Sequence, residues 1–182
     1  MKSVIFAISA LVATHASALA LPIASPLATR DFTAQSDDPE AVPVTVRDLA
    51  QDSNAKCGAS TYNHDDLYKA VQWGILLQND GVFRGKKSKE YPKGRFPHSY
   101  TATEFTFNND CPSDDNRQEY PLVSNGPYNG GISNNKKWGN DRVVYYHEPG
   151  EVDEVEGHPV GYFCGAITHS GASSSADFVQ CT

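Results

Sequence analysis

The chain has 182 residues, with 22 Asp and Glu against 15 Lys and Arg, a formal charge of −7, and 39% hydrophobic residues. A balance of that sign excludes a protein that grips long stretches of nucleic-acid backbone by charge alone. Past the first residues, no run approaches the roughly 20 apolar residues of a membrane-spanning helix.

Residues 1–20 read as a signal peptide. Lys2 gives a positive start, Val4 to Ala20 is apolar and small, and Ala16-Ser17-Ala18 and Ala18-Leu19-Ala20 each fit a signal-peptidase site. A secreted, extracellular product without a membrane partner is expected. Residues 21–56 carry Pro22, Pro26, Pro39 and Pro43 among Ser, Thr, Ala and Asp with no sustained period of helix or strand, and read as a pro-segment or disordered arm. Arg30 and Arg47 are its candidate processing points. Residues 57–182 are then one ordinary domain, still acidic, with 11 Lys and Arg against 16 Asp and Glu. If it acts on nucleic acid, it does so through a small pocket holding one or two nucleotides. All four cysteines lie in this domain, and an even count without a C-x-x-C pair in an exported chain argues for two disulfides. Counting alone leaves three pairings open.

One segment reads as a helix. Asn63 can cap it, Asp65 and Asp66 suit its positive end, and Leu67, Ala70, Val71, Gly74 and Ile75 form an apolar stripe, with Asp80-Gly81 closing it. Next comes a basic, Gly-rich stretch, in which Arg84, Lys86, Lys87, Lys89, Lys93 and Arg95 are opposed only by Glu90. It is either a contact for flanking phosphates or a solvated loop. Beyond it, short runs rich in β-branched and aromatic residues predict strands at 103–107, 119–123, 141–147, 160–168 and 177–180, separated by turn clusters such as Asn125-Gly126-Pro127 and Asn129-Gly130-Gly131. Glu148 to Glu156 is an acidic, solvated loop. One helix followed by strands predicts an α+β domain, the helix packed on a small twisted antiparallel sheet.

There is no H-E-x-x-H, P-loop, G-x-S-x-G or carboxylate array for magnesium, so neither a metal nor a cofactor is expected. What stands out is one polar residue in or beside each of several strands: His98, Glu119, Arg142 and His169. Alternation along strands can gather these on one face of one sheet. The types suit cleavage of RNA by its own 2′-hydroxyl. That reaction needs a base for the hydroxyl proton, an acid for the departing 5′-oxygen and a fixed positive charge for the phosphoryl oxygens. Arg cannot lose its proton, and an imidazole titrates near neutrality, its pKa raised by nearby carboxylates. The nucleophile belongs to the substrate, so the partner is single-stranded RNA and DNA is not cut.

Four local sequences carry a resemblance: Phe96-Pro97-His98-Ser99-Tyr100, Glu119-Tyr120-Pro121-Leu122, Asp141-Arg142-Val143-Val144-Tyr145, and Gly165-Ala166-Ile167-Thr168-His169-Ser170-Gly171-Ala172. With Phe178-Val179-Gln180-Cys181 at the end, they run in order from Cys57 to Thr182. Together they resemble the fungal guanyl-specific secreted ribonucleases, closest to the purine-preferring members. The resemblance implies Glu119 as base, His169 as acid, Arg142 as phosphate ligand and His98 as a helper of the base. It implies a monomer that cleaves 3′ of guanosine or purines to a 2′,3′-cyclic phosphate and then a 3′-phosphate. Tyr100 would stack on the base, Glu104 accept from guanine's N–H groups, and Phe178 wall the phosphate. It also implies the disulfides Cys57–Cys181 and Cys111–Cys164. Phe96 stands where the family usually has Tyr; a hydroxyl contact worth about 1 kcal/mol is missing there, which implies reduced turnover.

Two other functions compete. A sarcin-like ribotoxin uses the same acid, base and arginine, but inserts a long basic loop between the Pro-His and Glu motifs, an interval that is short here. A secreted effector or binding module could keep the fold without the chemistry, yet need not retain Glu119, Arg142 and His169 together.

Overall fold

The computed structural model describes residues 42–85, 95–107, 110–130, 138–174 and 176–182. The signal peptide, most of the expected arm and Lys86 to Lys93 lie outside them.

Helix α1 (His64–Asn79) starts as the sequence predicts. The Asn63 side chain accepts from the Asp66 N–H and the Asp66 carboxylate accepts from the Asn63 N–H, a reciprocal capping box. Gly81 ends it in the left-handed region, φ 63°. The helix lies across a sheet with strand order β1-β7-β6-β5-β4, and β8 pairs with β7. The strands are β1 (Thr45–Arg47), β4 (His98–Ser99), β5 (Arg117–Pro121), β6 (Asp141–Tyr146), β7 (Val160–Thr168) and β8 (Val179–Gln180). A separate hairpin, β2 (Asn54–Cys57) and β3 (Ser60–Asn63), leads into the helix. No described helix is long and apolar enough to cross a membrane.

Strand parity divides the sheet into two faces. Tyr120, Val143, Tyr145 and Ala166 turn toward α1 and join Leu67, Val71, Ile75 and Leu77 in the main core. The crossing is close: a Cβ on Gly74 would stand 2.6 Å from Tyr145 Cε1. Val144 and Ile167 turn the other way and pack with Tyr100, Phe105, Phe107, Cys164 and Phe178 in a smaller cluster. This second face carries the polar residues of interest.

Both disulfides have the pairing that the resemblance implied, Cys57–Cys181 and Cys111–Cys164. The first joins the β2–β3 hairpin to the chain's end. The second staples the loop after Tyr100 to β7, beside the register shift that separates the Val144–Gly165 and Tyr145–Phe163 pairs.

Three expectations are corrected. The sheet is not wholly antiparallel, because β1 pairs with β7 in parallel register, Thr45 opposite Val160. Residues 42–56 are not an irregular arm. Val44 is buried, the carbonyls of Val42 and Val44 accept from Gln72 Nε2 and the Tyr68 hydroxyl, and this span holds β1 and all of β2 but its last residue, Cys57. Finally, residues 103–107 form no strand. Buried Arg117 takes the carbonyls of Tyr100, Ala102 and Cys111, so the chain on either side of this segment bonds to a side chain instead of a ladder, and Phe105 and Phe107 both pack into one cluster.

Candidate active site

The site grows from β4, β5 and β6 side by side. His98 lies opposite Glu119, Glu119 opposite Val144, and Arg142 is two residues from Val144 on the same face. The His98 and Glu119 side chains meet at 3.1 Å from Nε2 to Oε1, with Glu119 buried and His98 partly exposed. His98 rests on the Phe96 ring, centroids 4.8 Å apart. Phe96 itself is 3% exposed and carries the Arg142 guanidinium 5.0 Å above its centre. It is therefore a floor beneath two polar groups.

Arg142 is fixed from its own approach. Its Nη1 donates to the carbonyls of Trp138, Gly139 and Asp141 at 3.0, 3.1 and 2.8 Å. Its Nε has no hydrogen-bond partner among the described residues. Burial lowers its pKa, opposed by the charges of Glu119 and Asp141. A guanidinium nevertheless remains charged at any working pH.

His169 follows β7 directly, and two devices hold it. Below it, buried Asp141 accepts from the Tyr62 hydroxyl at 2.6 Å and from Thr168 Oγ1 at 2.5 Å, fixing the end of the strand. Around it, the Nδ1 nitrogen is 2.6 Å from the Asp177 carbonyl, and the ring stacks on Phe178 with centroids 3.8 Å apart. A carbonyl can only accept, so Nδ1 carries hydrogen and Nε2 is the nitrogen left for a ligand. Desolvation, with help from the Arg142 charge, lowers the imidazole pKa despite the Asp177 carbonyl and the carboxylates of Asp141 and Asp177. The expected direction was upward; burial beside a guanidinium wins.

Phe178 is thus a platform for His169, and it stands edge-on to Tyr100 at 5.9 Å. Tyr100 is closed in. Phe107 meets it edge-on, the Arg117 guanidinium lies 5.5 Å from its centre, and its hydroxyl donates to Glu104 Oε1 at 2.9 Å. Burial and the Glu104 carboxylate push the phenol well above its ordinary pKa. With the ring 5% exposed, it offers a base less open surface than a stacking role supposes, while Glu104 is exposed.

Two features escaped the sequence reading. Arg117 lay just before the predicted strand that opened at Glu119; an Arg two residues from the candidate Glu119, on the same strand face, was the available signal. Tyr62 and Thr168 as partners of Asp141 had no sequence signal, because the three are far apart in the chain. One group of possible metal ligands exists among the described residues, Asp153, Glu156 and His158, with ligand atoms within 4.8 Å of one another. It sits on the β6–β7 connection, at the other end of that ladder from Arg142 and His169. Asp153 already accepts from the Thr45 hydroxyl and from the N–H groups of Val155 and Glu156, which pull its pKa down to about 2. These are loop-closing contacts.

A family model described as ribonuclease matches residues 50–182. The chain is 34% identical over 131 residues to guanyl-specific ribonuclease U1 of Ustilago sphaerogena, an alignment covering 71% of this chain and 95% of that protein. It is 28% identical over 133 residues to guanyl-specific ribonuclease F1 of Fusarium fujikuroi, covering 73% and 80%.

Proposed function

The chain belongs to the ribonuclease family that includes the guanyl-specific enzymes, and from that membership we propose a secreted, monomeric endoribonuclease that cuts single-stranded RNA 3′ of guanosine. The observation that carries the chemistry is the contact of His98 with buried Glu119 at 3.1 Å, on the sheet face that also holds Arg142, with a second imidazole just beyond β7.

In the first step the Glu119 carboxylate takes the proton of the ribose 2′-hydroxyl. The 2′-oxygen then attacks phosphorus, the bond from phosphorus to the 5′-oxygen breaks, and the imidazolium of His169 gives its Nε2 proton to the leaving oxygen. The products are a 2′,3′-cyclic phosphate and a free 5′-hydroxyl. In the second step neutral His169 takes a proton from water, which opens the cyclic phosphate, and Glu119 returns its proton to the 2′-oxygen. Arg142 supplies fixed positive charge to the phosphoryl oxygens. His98 donates toward Glu119 and orients the carboxylate. Phe178 holds the plane of His169 and excludes water from one side.

DNA lacks the nucleophile and is not cut. Base choice falls to the loop from Tyr100 to Glu104, with the Glu104 carboxylate accepting from guanine's ring N–H and exocyclic amine. The short interval from His98 to Glu119 and the names of both relatives favour this reading over the ribotoxin. Cleavage rates of GpC, ApC and UpC test it. GpC is expected to be cut fastest, and equal rates for the three, or none between pH 4 and 8, would refute it.

A further inference from the structure

Arg117 is 3% exposed and faces the loop, yet among the described residues it has no carboxylate within salt-bridge distance. A buried guanidinium with neutral partners is costly unless its donors are satisfied in detail, and here they are. Nε donates to the Tyr100 carbonyl at 2.8 Å, Nη1 to the Cys111 carbonyl at 3.3 Å, and Nη2 to the Ala102 carbonyl at 2.5 Å and to Ser113 Oγ at 2.8 Å. The rings of Tyr100 and Phe107 lie against it, 5.5 and 5.2 Å from Cζ to the ring centres. Ser113 in turn donates to the Thr101 carbonyl at 2.7 Å. Three successive carbonyls are therefore occupied, those of Tyr100 and Ala102 by buried Arg117 and that of Thr101 by Ser113 at the surface.

We propose that Arg117 is a positioning residue for base selectivity: it withdraws the carbonyl acceptors of the 100–102 segment from the base pocket and mounts that segment on the strand that carries Glu119. This rests on the reading of Tyr100 to Glu104 as the base site. Guanine presents acceptors at N7 and O6, whereas adenine presents an amine donor at N6. A carbonyl facing outward would accept from that amine and repel O6, so keeping the carbonyls occupied disfavours adenine. Because Arg117 and Glu119 share one face of β5, the same strand fixes the distance between base and reacting phosphate.

The test compares GpC and ApC cleavage by the wild type, Arg117→Met and Arg117→Lys, well below each protein's melting temperature. Both variants are expected to lower the GpC to ApC ratio of kcat/KM by about tenfold, the equivalent of one or two lost hydrogen bonds. The loss should fall mainly on KM for GpC, and the pH profile of kcat should keep its shape. Lys keeps the charge but not the forked donors, so it does not restore selectivity. A lower melting temperature with an unchanged GpC to ApC ratio in either folded variant overturns the proposal. Should Arg117→Met fail to fold, Arg117→Lys and Ser113→Ala carry the same comparison. A wild type without preference for GpC would instead refute the base-site reading itself, before any variant is read.

Discussion

On the helix side of the sheet, Leu67, Val71, Ile75, Tyr120, Val143 and Tyr145 are all fully buried and held mainly by apolar packing, with the Tyr120 hydroxyl donating to the Tyr128 carbonyl. On the opposite side the cover is a loop held at discrete points: the Cys111–Cys164 disulfide, the donors of Arg117, and Phe107 against Gly165, where a Cβ would stand 3.3 Å from Phe107 Cε1. The first face is mainly apolar and holds no charged group among the residues named, and the second is organised around several. On the proposed reading, stability and chemistry fall to opposite faces of one sheet, so substitutions on each should separate the two readouts.

The largest effect is expected on the second face. Glu119→Gln should lower kcat/KM for GpC by about 10² to 10⁴, the range for a lost general base, while the melting temperature moves little. A large loss of stability accompanying it would blur the division between the faces. On the helix side, Leu67→Ala should cost roughly 2–5 kcal/mol in denaturant unfolding, with cleavage of GpC by the folded fraction intact. Gly74→Ala comes next, at about 1–3 kcal/mol for overpacking, because the new methyl meets the ring of Tyr145, which is itself fully buried in the same core. A neutral result there would mean that the helix slides freely over the sheet.

The smallest effects concern pH. His169 has a lowered pKa and must be protonated to act as acid, so the alkaline limb of kcat/KM should fall below the ordinary imidazole value of about 6.5. Buried His147, between the Val160 carbonyl and Asn79, is likewise lowered, chiefly by desolvation. A histidine depressed in the fold binds fewer protons than in the unfolded chain. Stability therefore rises with pH from the depressed value up to about 6.5 and is level above it. The stability difference between wild type and His147→Asn should widen over that interval, and a constant difference would remove His147 from the account.

How much of this was legible varies by residue. The helix could be read because its signals are local: a cap at Asn63, a stripe at helical spacing and Gly81 after it. β7 was read to the residue for the same reason. β1 was missed although Val42, Val44 and Val46 alternate, because the neighbouring prolines suggested disorder and a parallel partner more than 100 residues away leaves no local trace. The segment 103–107 was misread because its aromatic residues suit a strand, and only a distant side chain, Arg117, takes the carbonyls around it. The catalytic types were visible in the sequence, but the direction of the His169 pKa was not. That depends on burial and on Arg142, neither of which spacing reveals.

The central claim is that Glu119, Arg142 and His169 act on one phosphodiester whose nucleophile is the substrate's own 2′-hydroxyl. Phosphorus NMR of a GpC digest reads it directly. The account predicts a guanosine 2′,3′-cyclic phosphate that accumulates and then gives way to the 3′-phosphate, and no product from the 2′-deoxyguanosine analogue. Formation of a 5′-phosphate, or cleavage of the deoxy substrate, would contradict it.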